Sequence, residues 1–267
     1  MTPNDHRVSY RKFVLPREHG GWSFVLEPVI LALVVAWSPS GLLVGFAALA
    51  TFLAREPLRL SASDLIVRRK RFPRTVPAAV IAATWLTIVV VLLLIVMRRH
   101  GWQPLIPIAL VSPLALAQAY ADLFGSKRRL GVEMAGAVAM SASAPVIVLL
   151  TGEAHQALGL VLWFFVAARS VGAVLYVREK LSKTKSASYS MRPPVGAHLA
   201  AVIIASSLYV ANFAPGAGIL AFAILLGRTV HGLSSPALVT PQRVGAMEVF
   251  WGAVTIVIIT LGYSLGI

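Results

Sequence analysis

Two carboxylates, a histidine and a tryptophan gather where the chain first turns apolar: Arg17-Glu18-His19-Gly20-Gly21-Trp22, with Glu27 about two turns further on. A carboxylate in hydrocarbon is costly unless it is paired or faces a polar cavity. Glu18 beside His19 is a pair able to move a proton on a bound headgroup, or to orient it by hydrogen bonding; a structural role serves His19 equally well. Trp22 is either an aromatic-belt anchor or a wall of the same site. Further along, Arg169, Gly172, Ala173 and Tyr176 recur at spacings of three and four, on one helical face, and Arg178 and Glu179 follow. Arg169 lies inside an apolar run, where Glu27 or Glu18 is its natural partner. Such a pair serves either a pocket or the fold alone.

More cations stand at the ends of apolar runs. Arg55-Glu56-Pro57-Leu58-Arg59 closes the second, where Pro57 is expected to end or bend the helix. Its arginines either snorkel to the interface or reach inward. Lys127 leads a Lys127-Arg128-Arg129 strip, and His198 lies about one turn into a later run. Guanidinium forks hold a phosphate or carboxylate directly. Arg55, Arg59, Arg169 and Arg178 therefore suit an anionic head on a long apolar tail, with Trp22, Glu27, Glu56, Lys127, Tyr176 and His198 as further binding residues. His19, His198 and His231 have no helical ligand spacing, so no metal or haem is expected, and no cofactor. The absence of cysteine removes thiolate chemistry.

The elements that position these groups belong to a membrane. Of 267 residues, 58% are hydrophobic and 13% charged, with mean hydropathy +0.80; soluble domains carry about 25% charged residues. Runs long enough to cross a bilayer fall at roughly 20–38, 40–55, 76–97, 103–122, 131–151, 156–177, 195–213, 216–234 and 245–265, the eighth interrupted by Arg228 and His231. The expected fold is all-α, a polytopic transmembrane bundle of about nine spans and one domain, 1–267. It has a polar tail at 1–16 and cytoplasmic loops at 56–75 and 178–194. No cleavable signal is expected, because the first apolar run is long enough to remain as a span. The net charge of +14 reflects the positive-inside rule rather than nucleic acid. With the N-terminus inside and the C-terminus outside, only Arg98 and Arg99 fall outside and Arg169 within a span. The basic segment 64–74, Asp64-Leu65-Ile66-Val67 followed by Arg68-Arg69-Lys70-Arg71, reads as a gate over the cavity or as an interfacial segment drawn to anionic headgroups.

Glu18-His19-Gly20-Gly21-Trp22, Arg55-Glu56-Pro57-Leu58 and Tyr176-Val177-Arg178 resemble the YwiC-like family of bacterial polytopic membrane proteins. The resemblance implies a multi-pass protein of the bacterial cytoplasmic (inner) membrane. More distantly, Tyr120 through Pro145, with Lys127-Arg128-Arg129, Gly131 and Glu133, is similar to the UbiA-type intramembrane prenyltransferases. That likeness implies nine helices around a cavity opening at two cytoplasmic loops. The aspartate-rich, magnesium-holding motifs of those enzymes are missing: the first loop offers Glu56 and Asp64, the second Glu179. The expected partners are membrane lipids, an isoprenoid or quinone-like amphiphile among them. The alternatives are a lipid enzyme without a metal, a non-catalytic lipid binder, a magnesium-dependent prenyltransferase and a carrier. For a carrier, Asn212 is the one polar group to consider outside the cytoplasmic half.

Overall fold

The computed structural model describes residues 21–124, 130–152, 155–236 and 239–267. Among them there are helices and turns but no strands. Hydrocarbon leaves backbone groups no water to bond, so each apolar run satisfies its own backbone as a helix.

Helix α1 is Gly21–Val35 and α2 is Pro39–Ala62. Ser38 caps α2, its hydroxyl accepting from the Gly41 N–H at 2.9 Å, and Pro39 takes the first position, where its missing donor costs nothing. A π-helical turn, Ser63–Val67, extends α2. Then come α3 (Thr75–His100), a short 3-10 turn (Gln103–Leu105) and α4 (Ile106–Phe124). The fifth apolar run is broken at Ala142 into α5 (Leu130–Ser141) and α6 (Ser143–Leu149). Helices α7 (Gln156–Thr184), α8 (Arg192–Val210), α9 (Ala217–Ser234) and α10 (Pro241–Leu265) complete the bundle. Among the described residues, eight helical segments are long and apolar enough to cross a membrane, taking α5 with α6, and α1 is a shorter apolar helix. The protein is thus a multi-pass helical membrane protein.

Several boundaries differ from those expected. The second span does not stop near residue 55, nor at Pro57, but runs to Ala62 and on to Val67. Proline removes one donor yet keeps a helical φ, and the Ser61 hydroxyl, donating to the carbonyls of Pro57 and Leu58, secures the following turn. Arg228 and His231 do not interrupt α9, because the Arg228 charge is matched from a neighbouring helix. The connections at 68–74 and 185–191 are short, since helix fills much of 56–75 and 178–194.

Burial separates centre from periphery. Over their most apolar stretches, α7 and the α5–α6 pair are each 56% buried, whereas α3 is 11% buried. Phe164, Phe165 and Phe222 stack at 5.8–6.1 Å in the core, beside Leu31, Ile147, Leu162 and Ile259. At one end of the bundle α1 begins, α2 and α7 end, and α8 and α10 begin. It carries Arg55, Arg59, the 68–74 strip and Arg178, and is called the basic end below; Arg98 and Arg99 close the opposite end of α3.

A buried acid organises the basic loop. Asp64 accepts from Arg74 at 2.9 and 3.1 Å and from the Thr75 hydroxyl at 3.0 Å. These bonds hold the Arg74 pKa above its ordinary value. Hydrogen bonds to charged groups contribute about 1.5–3 kcal/mol each. Asp64→Ala is therefore expected to speed tryptic cleavage after Arg68–Arg71 by at least about tenfold, through local opening. An unchanged cleavage rate would show that other contacts hold the loop.

Candidate functional site

Five helices bring polar side chains to one depth near the basic end. Glu27, His198, Arg228 and Glu248 each lie six or seven residues from that end of α1, α8, α9 and α10 respectively. Arg169 and Tyr176 come from α7, the central helix. Every one of these side chains is at least nine-tenths buried.

The charges alternate. Arg169 Nε meets Glu27 Oε2 at 3.1 Å, and Arg169 Nη2 lies 3.6 Å from Glu248 Oε2 while donating to the Glu248 carbonyl at 2.5 Å. The other Glu248 oxygen pairs with Arg228 Nη2. The Arg228 guanidinium lies over the Tyr176 ring, 3.8 Å from its centroid, a cation–π contact that fixes the plane of the fork. Two carboxylates and two guanidiniums leave no formal excess charge, which is what permits the layer to be buried. Glycines make the room: a Cβ at Gly252 would collide with the Glu27 carboxylate, and one at Gly172 with the His198 ring.

The layer is not saturated. Among the described residues, Arg169 Nη1, Arg228 Nε, Glu27 Oε1 and both ring nitrogens of His198 are buried without a hydrogen-bond partner. Buried polar groups are ordinarily satisfied, and unsatisfied ones mark sites. The space beside Glu27, Arg169, Phe165 and Thr255 is about 10 Å³, room for about one water.

The expected site residues divide into groups. Glu27, Arg169, Tyr176 and His198 meet in the buried layer. Arg55 instead pairs with Asp122 of α4 at 2.8 Å. Glu56 receives two hydrogen bonds from Arg59, one turn on, at 2.7 and 2.9 Å. Trp22 sets its ring edge-on to Phe52 of α2, 5.2 Å between centroids, and Arg178 is exposed. Glu18, His19 and Lys127 lie outside the described residues. Asn212 is exposed in the left-handed turn that ends α8 (φ 59°).

Glu248 and Arg228 were missed as site residues by reading the sequence. Glu248 stands as deep in the last apolar run as Glu27 does in the first, and the same cost of a lone intramembrane acid would have singled it out. Arg228 read as an interruption of its span, because its partner is distant in sequence.

The loop acids are already engaged. Glu56 is held by Arg59 and Asp64 by Arg74, and Glu179 accepts the Ser190 N–H at 2.7 Å. Among the described residues, no three of His, Cys, Asp and Glu gather where a metal ion could be held. A magnesium-bridged diphosphate needs several free carboxylate oxygens, and the described loops do not fit it.

A family model described as YwiC-like protein matches residues 15–148, half of the chain. The match includes Glu27; Arg169, Tyr176, His198, Arg228 and Glu248 lie beyond it. No curated protein and no solved structure gives a significant match.

Proposed function

The chain belongs to the YwiC-like family, and on that premise we propose that it binds an amphiphile with a phosphate or carboxylate head in the buried layer. One observation carries the reading: among the described residues, Arg169 Nη1 and Arg228 Nε are buried without a hydrogen-bond partner in the same layer as a His198 ring whose nitrogens also have none. Ion pairs that served only the fold would satisfy their donors.

The Glu248 carboxylate bridges both arginines and so takes the position that an anion's oxygens would take. The cavity alone is too small for a headgroup. In the proposed mechanism the head displaces Glu248 from the two forks, His198 contributes a further hydrogen bond, and the tail runs out between apolar helices. An isoprenoid tail suits such a path. By the positive-inside rule the basic end faces the cytoplasm. Arg55, Arg59, Arg178 and Lys127 then act as an electrostatic approach for anionic heads, with Glu56 holding Arg59 in place. Trp22 is assigned to the entrance, and Glu18 with His19, adjacent in the sequence, are assigned the role of a proton-transfer pair. The donors in the layer support hydrogen bonding and proton transfer rather than metal-assisted departure of a diphosphate. A UbiA-like arrangement of the helices belongs to the same proposal, supported by the number of apolar segments.

Mass spectrometry of the amphiphile retained through mild purification tests the proposal. Wild type is expected to hold an anionic amphiphile, with Arg228→Met losing at least about tenfold of it, the equivalent of one charge-assisted hydrogen bond. Arg228→Lys, which keeps the charge without the fork, is expected to fall between them. An identical lipid content and headgroup profile in folded wild type and Arg228→Met would overturn the proposal.

A further inference from the structure

The outer face of α3 bears a groove of about 340 Å³ unrelated to the buried layer. Leu65 and Arg71 line it together with Val76, Ala79, Val80 and Ala83 of α3. The α3 residues recur at three and four, as one stripe along the helix. Val76 and Val80 are about 60% exposed, and α3 is the least buried of the long helices. Its outward stripe therefore meets acyl chains.

Next to the groove, the loop combines charge with apolar surface. Asp64 is engaged by Arg74, and among the described residues no carboxylate pairs with Arg69, Lys70 or Arg71. The loop is a built structure: the Lys70 N–H donates to the Asp64 carbonyl at 3.0 Å, closing a turn in which Arg69 takes a left-handed backbone (φ 50°). Phe72 sits within 5.1–5.8 Å of Arg68, Lys70 and Arg74. Just before these cations, Leu65, Ile66 and Val67 are 46–55% exposed in succession. Apolar side chains beside a cationic triplet match the boundary between acyl chains and anionic headgroups.

We propose that this groove and its arginine form a specific site for an anionic phospholipid of the surrounding leaflet. One acyl chain lies along Val76–Ala83, and the phosphate meets Arg71 with Arg69 and Lys70 beside it. The site does not depend on the buried layer and fails or stands separately from it.

The test uses the full chain in phosphatidylcholine vesicles containing traces of phosphatidylglycerol with a photoreactive acyl chain, or the same probe on phosphatidylcholine. Cross-links are mapped by peptide mass spectrometry. Phosphatidylglycerol is expected to label 76–83 at least about tenfold more than phosphatidylcholine, given the attraction of three cations. The triple variant Arg69→Gln, Lys70→Gln, Arg71→Gln brings the ratio near one, whereas Arg98→Gln with Arg99→Gln preserves it. Ala79→Phe, which fills the groove, removes labelling of this segment by both probes. Equal labelling by the two lipids in wild type overturns the site, as does a ratio kept in the triple variant or lost equally in the Arg98/Arg99 variant. Loss of the ratio with inorganic phosphate at matched ionic strength would assign the cations to a soluble anion, and likewise overturns it.

Discussion

Arg169→Met is expected to lower the stability of the purified protein by about 3–5 kcal/mol, the usual result of removing one partner from a buried ion pair. Arg169 is 2% exposed and is the only cation paired with Glu27 among the described residues. Its loss leaves a buried carboxylate uncompensated and Glu248 with Arg228 alone. Unfolding by denaturant, followed by near-ultraviolet circular dichroism, would measure it. The double variant Arg169→Met, Glu27→Gln removes the stranded charge and is expected to recover at least about half of the loss. That non-additivity separates a charge effect from lost packing. Arg169→Lys is expected to recover less, because an ammonium cannot reach Glu27 and Glu248 together as the planar fork does. If the single and double variants were equally unstable, the ion pair would not be what Arg169 contributes.

Glu248→Gln is expected to act in the opposite sense on ligand and in the same sense on stability. In the apo protein it leaves the Arg228 charge buried without its counter-ion, again a loss of about 3–5 kcal/mol in neutral detergent. The same change frees both forks for an exogenous anion. Anionic amphiphile is expected to bind at least about tenfold more tightly than to wild type, since no internal carboxylate must first be displaced. Binding to the native state alone stabilises by mass action. Adding an anionic lysolipid should therefore close much of the stability gap between Glu248→Gln and wild type. A zwitterionic lysolipid should not. A gap that is identical in both would leave Glu248 a structural counter-ion only, and would remove the displacement step proposed above.

Both results turn on contacts made across the bundle, and this marks where sequence reading reached its limit. Helix content, the number of apolar segments and the membrane setting were legible in the chain. Apolar runs of bilayer length have one way to satisfy their backbone in hydrocarbon, and that constraint is local. The depth of Glu27, Arg169 and His198 was legible for the same reason, since position along a helix sets position across a membrane. Helix ends were less so. Pro57 fails to stop α2, because it keeps a helical φ and Ser61 bonds the turn that follows, and Arg228 fails to break α9, because Glu248 on another helix matches its charge. Which charges meet was decided only in three dimensions. In the sequence Arg55 and Arg59 close one apolar run and Arg169 lies inside another, and none of the three has its partner marked by spacing alone. In the structure Asp122 takes the first, Glu56 the second, and Glu27 with Glu248 the third. Glu248 lies 79 positions from Arg169 along the chain, so no local spacing pairs them. Side-chain chemistry thus determined that acids and cations within the bilayer must find partners. The rotation of each helix about its axis, set by packing at positions such as Gly172 and Gly252, decided which partners those were.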